Sequence, residues 1–445
     1  MIARKIEKKL KSFFSGANHS ALLVDGARQV GKTFIVEEFG RRNYDSVVKL
    51  DFVKSKRARD VFENVEDEQD VITRLTAFAK QPMVPGKTLV FLDEVQKCPE
   101  AVTYVKYLVQ DGRFDYVLSG SLLGVELRNV RSIPVGFMDE MKMYPLDFEE
   151  FVTAVGEMPE LVDAAKSSWE SRRPLAKVFH DRLTRLFRLY LVVGGMPEAV
   201  QTYIDTKDIK KVVAVQKKIL LAYRKDISQY DEKNALHIRA VFDRIAPELN
   251  DRNKRFYSSG VGEGNRYNRL EDAFLWLAEA GVAIPSYCVE EAKPPLLLAR
   301  KPHFFKLFMN DVGLLAAMYM NDIQLQLLSG ETNINFGAVF ENFVAQELVA
   351  HGMSPGYYNS AKHGEVDFVL ERRGRILPVE VKCGKHYERH HALDHLLADK
   401  GCRLENALVL DSDAFKTKGM VSYLPIYMSM FLEPAQLPDS MIYTL

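Results

Sequence analysis

The sequence predicts a multidomain α/β fold: a parallel-sheet domain first, a helical and winged-helix-like middle, and a second mixed α/β domain at the end. Three observations carry this. Between residues 20 and 145, continuous apolar runs alternate with helical patterns, as in a parallel sheet covered on both faces. From 147 to about 320 amphipathic helical periodicity dominates, closing on two extended segments. From about 336 onward, strand and helix signals alternate again.

Composition bounds the chain next. A length of 445 residues suits about two to four domains. With 47% hydrophobic and 27% charged residues, each can bury a core. Sixty basic residues balance sixty acidic ones, which excludes a global basic field and leaves only a local nucleic-acid surface. Cys98, Cys288, Cys383 and Cys402 are scattered, without zinc-module spacing or a disulfide framework, as expected in a reducing cytoplasm. The start, MIARKIEKKLKSFF, lacks a signal-peptide core; Ile2, Ile6, Leu10, Phe13 and Phe14 instead recur at helical spacing. No run reaches the ~18 apolar residues of a membrane span, so a soluble protein without membrane contact is expected.

The strands of the first domain are expected at 21–26, 47–52, 88–95, 116–121 and 141–146. Gly194, Gly195 and Pro197 punctuate two helices in the stretch that follows. Helices such as RYNRLEDAFLWLAEAGV, then AIPSYCVEE and LLLARKPHFFKLF, suggest a winged helix. The last part carries one helix at NFGAVFENFVAQELVAHG and strands near 366–370, 376–382 and 407–410. The expected domains are therefore 1–150, a helical connector at 151–235, a winged-helix-like 236–325 and a mixed 326–445.

GARQVGKT at 26–33 matches the phosphate-binding loop G-x-x-x-x-G-K-[ST] in full, after the strand ALLVD and at the start of the helix TFIVEEFG. Glycines let backbone N–H groups curl around phosphate, and the helix start adds positive potential. Gly26, Ala27, Arg28, Gln29, Val30, Gly31, Lys32, Thr33 and Phe34 are the expected nucleotide-binding residues, for ATP with Mg²⁺. Lys32 reaches the terminal phosphates, and Thr33 and Asp93 hold the metal. In TLVFLDEVQ, Glu94 follows Asp93 and is placed to polarise the attacking water. Ser119 or Ser121, in YVLSGS, is either a γ-phosphate sensor or a strand-end cap. Arg128 and Arg131 are candidate arginine fingers, with ordinary surface arginines the favoured reading.

LLVDGARQVGKTFIVEEF, LVFLDEVQ, YVLSGS and YPLDFEEF resemble a family of prokaryotic AAA-type P-loop ATPases that join the ATPase domain to a C-terminal domain of unknown function. LYLVVGGMPEAV, YRKDI and FKLFMNDVGLL are similar as well, so the resemblance spans nearly the whole chain. One departure is Gly136–Phe137, where family members often carry Gly-Arg.

The stretch GEVDFVLERRGRILPVEVK at 364–382 poses a separate question, because charges interrupt two apolar runs. On a hairpin, Asp367 would face Glu380 and Lys382, which point the same way because they lie two apart. Such carboxylates suit Mg²⁺ or Mn²⁺, and the lysine would orient or deprotonate a water; Glu341 on the preceding helix completes the expected set. The pattern resembles the PD-(D/E)xK restriction-endonuclease-like fold, with an α-β-β-β-α-β order. An ion pair across a hairpin is the alternative. His363, His386, His390 and His391 are read as a solvated face rather than ligands. Lys254, Arg255, Arg266 and Arg269 are the candidate DNA contacts. Two functions follow: an ATPase that couples ATP state to DNA binding or processing, or an ATP-switched signalling scaffold with an inactive nuclease-like domain. An oligomer or a protein partner is compatible with either.

Overall fold

The computed structural model describes residues 2–16, 20–120, 136–230, 232–251, 266–319, 323–330, 336–384, 387–399, 401–402 and 404–435. The chain forms two compact units, one made of 1–144 and 272–282, the other of 145–271 and 283–445.

The first unit is built on a five-stranded sheet: β1 (Ala21–Asp25), β2 (Ser46–Asp51), β3 (Thr88–Asp93), β4 (Asp115–Ser119) and β5 (Met138–Lys142), in the order β2-β3-β4-β1-β5. All its pairings are parallel. β1 and β3 are buried along their whole length, which is why they read as unbroken apolar runs. β5 lies earlier than the 141–146 expected. It is an edge strand, so one side faces solvent and charged MDEMK fits where an apolar run would not. The N-terminal helix Lys5–Ser15 buries Ile6 and Leu10, and Phe14 meets Phe39 at 5.7 Å between ring centroids.

The second unit contains six helices between Phe148 and Asn250 and an eight-stranded sheet. Its strands are β6 (Ala283–Val289), β7 (Arg300–Met309), β8 (Gly356–Ser360), β9 (Gly364–Arg372), β10 (Arg375–Val381), β11 (Ala407–Asp411), β12 (Lys416–Lys418) and β13 (Val421–Pro425). Their order is β12-β13-β11-β10-β9-β8-β6-β7. The helix Gly337–Ala350, three strands, the helix His391–Ala398 and β11 follow the expected α-β-β-β-α-β order. The β9–β10 turn is Arg373-Gly374, both at positive φ (49° and 68°), as a two-residue hairpin turn requires.

Two expectations change here. β6 and β7 do not form a separate wing. β6 pairs with β8 in parallel, Tyr287 opposite Gly356, so both strands extend the C-terminal sheet and the expected boundary at 325 falls within one hydrogen-bonded layer. The helix Arg266–Glu279 is not part of that unit throughout, because 272–282 belongs to the first unit.

A buried polar hub organises the helical part. Asp311 caps the helix Val312–Met318 by accepting from Leu314 N (2.8 Å) and also accepts from Gly195 N (2.6 Å). Burial pushes its carboxyl up to about 6 although backbone N–H groups oppose this. Leu146 N donates to Gly195 O at 2.7 Å, and a Cβ at 195 would lie 2.0 Å from Leu146 O. Gly195→Ala must displace backbone rather than a flexible side chain. The expected cost is about 1–3 kcal/mol, read as a lower midpoint in urea unfolding; an unchanged midpoint would refute the close approach.

Candidate functional site: the phosphate-binding loop and the C-terminal carboxylates

The loop between β1 and the helix Lys32–Asn43 has the backbone that phosphate binding needs. Gly26 (φ 149°), Gln29 (φ 68°) and Gly31 (φ 98°) all have positive φ, and Gly31 is the helix N-cap. A Cβ at Gly26 would lie 2.2 Å from Met143 O, so only glycine fits there. Ala27 and Val30 are buried beneath the loop, while Arg28, Gln29 and Phe34 are exposed around it. Gly281, returning in the 272–282 segment, supports Ala27: a Cβ there would be 2.9 Å from Ala27 N. No sequence motif marked that glycine.

The Lys32 ammonium is buried and donates to Gly26 O (2.7 Å) and Ala27 O (2.9 Å). Burial lowers its pKa to about 8, with nearby Glu94, Asp25 and Asp93 opposing the shift. Thr33 Oγ1 donates to Asp93 Oδ1 at 3.0 Å, so the two residues expected to hold Mg²⁺ converge on one point and fit that ion. Ser119 Oγ donates to Asp93 Oδ1 at 2.5 Å, and Lys49 Nζ lies 3.0 Å from Asp93 Oδ2. Ser119 therefore holds the Asp93 carboxylate in place. Lys49 went unnoticed in the sequence, although a lysine inside VVKLDF was its signal. Glu94 follows Asp93 with φ 60° and its Oε2 accepts from Gln96 Nε2 at 2.6 Å. Ser121, Arg128 and Arg131 lie outside the described residues.

The C-terminal acids are arranged differently from the expected metal set. Asp367 Oδ2 accepts from Val381 N at 2.9 Å, and Lys382 Nζ donates to Glu380 Oε1 at 2.6 Å. Burial, and then the charge of Asp367, raise the Glu380 carboxyl to about 8 against the pull of Lys382. Glu341 faces Lys306, a residue the sequence reading passed over: Lys306 Nζ is 3.6 Å from Glu341 Oε2 and 2.8 Å from Glu365 Oε1. Lys306 is fully buried. Burial disfavours its charge, but Glu341, Glu365 and Asp367 outweigh that and hold the ammonium above its ordinary pKa. Among the described residues no group of three or more His, Cys, Asp or Glu side chains is placed to hold a metal ion. Lys306 thus faces Glu341 and Glu365, and Lys382 faces Glu380, so these carboxylates already meet protein ammonium groups.

Of the histidines, His391 is exposed as expected, but His390 is buried, with Nε2 2.8 Å from Tyr423 Oη and Nδ1 2.9 Å from Asp394 Oδ1. His363 Nδ1 lies 2.7 Å from Tyr358 Oη. His386, Lys254 and Arg255 lie outside the described residues, and Arg266 and Arg269 are placed only as helix backbone. No helix among the described residues is long and apolar enough to cross a membrane.

The parallel sheet and its loop define an AAA-type P-loop ATPase domain. Residues 18–152 match the family described as an AAA domain. Residues 184–326 and 336–428 match two domains of unknown function, DUF8612 and DUF4143. No curated protein matches the chain. Among solved structures, the chain is similar to a Walker-type ATPase of Pyrococcus abyssi at 14% identity, covering 72% of this chain and 96% of that one, with a TM-score of 0.45. It is also similar to the Aeropyrum pernix Orc1 protein, solved in complex with DNA, at 13% identity, 73% and 93% coverage and a TM-score of 0.27. For Saccharomyces cerevisiae Hsp104 the values are 14%, 63%, 38% and 0.29.

Proposed function

We propose that the chain binds Mg–ATP at Gly26–Thr33 and hydrolyses it with Glu94 as the water-orienting base. The observation that carries this is the convergence of Lys32, Thr33, Asp93 and Ser119 at the carboxyl ends of β1, β3 and β4. Backbone N–H groups of the loop and the Lys32 ammonium bind the phosphates. Thr33 and Asp93 hold Mg²⁺, which when bound neutralises charge on the phosphate oxygens. Ser119 and Lys49 keep Asp93 in place, and Glu94 takes a proton from the attacking water.

The test is calorimetric titration of the full chain with Mg–ATP at pH 8, in two buffers of different ionisation enthalpy. Lys32 is about half neutral at that pH, and polyphosphate favours its charged form, so binding takes up a fraction of a proton. At saturating nucleotide, about 100 times Kd, stability rises by about 2.7 kcal/mol. No saturable heat and no rise in melting temperature would end this reading.

ATP state would then be coupled to the second unit. A DNA-binding or DNA-cleaving role is supported by the α-β-β-β-α-β order and by Asp367, Glu380 and Lys382 on one hairpin and its extension. Lys306 favours the other reading, an ATP-switched scaffold whose nuclease-like region does no metal chemistry, since its ammonium sits against Glu341 and Glu365. Mn²⁺-dependent cleavage of DNA by the wild type, abolished by Asp367→Ala, would overturn the scaffold.

A further inference from the structure

The second unit contains a cavity of about 520 Å³, the size of a small-ligand pocket. It opens where three parallel strands end: Cys383 and Gly384 follow β10, Asp411 ends β11, and Pro425 ends β13. Crevices at the carboxyl ends of parallel strands are where α/β sheets commonly take ligands.

Five aromatic rings stand in its walls, from Phe187, Phe336, Phe340, Tyr387 and Tyr427. Two of these rings are fixed by their hydroxyls: His180 Nδ1 is 2.9 Å from Tyr427 Oη, and Lys416 Nζ donates to Tyr387 Oη at 2.8 Å. Three charged groups line it as well: Asp411, Asp413 and Arg188. Asp411 is fully buried. Its Oδ1 accepts from Asp413 N at 2.6 Å, while its buried Oδ2 has no hydrogen-bond partner among the described residues. The Arg188 guanidinium lies against Gly330, where a Cβ would come within 2.3 Å of Cζ, so glycine at that turn leaves room for the flat cation.

A buried acceptor left without a donor is destabilising, so a ligand that supplies one gains specificity as well as affinity. The Arg188 guanidinium on the wall of the same cavity calls for an acceptor on the ligand. Flat aromatic walls favour a flat ring. A planar heterocycle carrying both an amine and a ring carbonyl or ring nitrogen meets all three demands.

We propose that this cavity is a nucleobase pocket, in which an exocyclic amine donates to Asp411 Oδ2 and a ring acceptor faces Arg188, with the ring against the aromatic walls. The base arrives either as a free nucleoside or extruded from a single strand. The site is separate from the phosphate-binding loop and does not depend on ATP hydrolysis.

The experiment is calorimetric titration of the full chain, and of its Lys32→Ala variant, with adenosine, guanosine, cytidine and uridine, then with short single-stranded oligonucleotides. Nucleosides carry no phosphate for the loop to grip, so failure here is distinct from failure of the ATP reading. At least one amine-bearing nucleoside, or an oligonucleotide containing that base, binds saturably with and without Lys32. Binding weakens roughly tenfold or more in Asp411→Asn and is lost in Leu327→Trp, which fills the cavity. Melting temperatures check that both variants are folded. Saturation by the nucleoside identifies a free ligand, and saturation by the oligonucleotide alone identifies a strand-borne base. The proposal is overturned if neither saturates, or if folded Asp411→Asn and Leu327→Trp bind as tightly as the wild type.

Discussion

Glu94→Gln is expected to bind Mg–ATP as tightly as the wild type and to hydrolyse it about 10²–10⁴-fold more slowly. The reason is local. β3 delivers Asp93, buried and held by Ser119 and Lys49, to its carboxyl end, and the chain turns through positive φ at Glu94. Glu94 is only half buried and is oriented by Gln96 at 2.6 Å. Glutamine keeps the shape and the hydrogen-bonding oxygen but cannot take a proton from water. The loss corresponds to about 3–5 kcal/mol of transition-state stabilisation. Single-turnover phosphate release beside a binding titration separates the two effects. Wild-type turnover in the variant would remove Glu94 from the mechanism.

Lys306→Met is expected to destabilise the second unit by about 3–5 kcal/mol at neutral pH, the usual cost of removing one partner from a buried ion pair. Methionine retains most of the stem and its packing, so the loss reports charge rather than volume. Glu341, which is buried, and Glu365 lose the ammonium opposite them, and Glu380 and Asp367 lie in the same field. Adding Glu341→Gln to Lys306→Met should recover part of the loss, because one uncompensated charge disappears with it. Acid narrows the gap between wild type and variant as the facing carboxylates protonate in both. Urea midpoints for the two single variants, the double variant and the wild type complete the cycle. A loss below about 1 kcal/mol would place Lys306 among ordinary exposed pairs.

Much of the phosphate-binding unit was legible because its signals are local. A fully buried parallel strand must be an apolar run, as at Ala21–Asp25 and Thr88–Asp93. A loop that wraps phosphate needs glycine where φ is positive or backbone comes close, as at Gly26 and Gly31. β5 slipped from view because an edge strand needs no apolar face on its open side. Lys49 and Lys306 were visible as charges inside apolar strands, but nothing nearby in sequence names the acids they meet.

The sequence alone therefore determined the P-loop with its Lys32, Thr33, Asp93 and Glu94, the parallel order of strand and helix around it, and the β9–β10 hairpin, since each is written within a few tens of residues. Only the tertiary structure decided that β6 and β7 join the C-terminal sheet instead of forming a wing, that Gly281 props Ala27, and that Lys306 answers Glu341 and Glu365. Those pairings join residues as far apart as Ala27 and Gly281. A strand's pattern says which face is apolar and a buried charge says that it needs a partner, but which distant segment supplies the edge or the counter-charge is settled only when the chain packs.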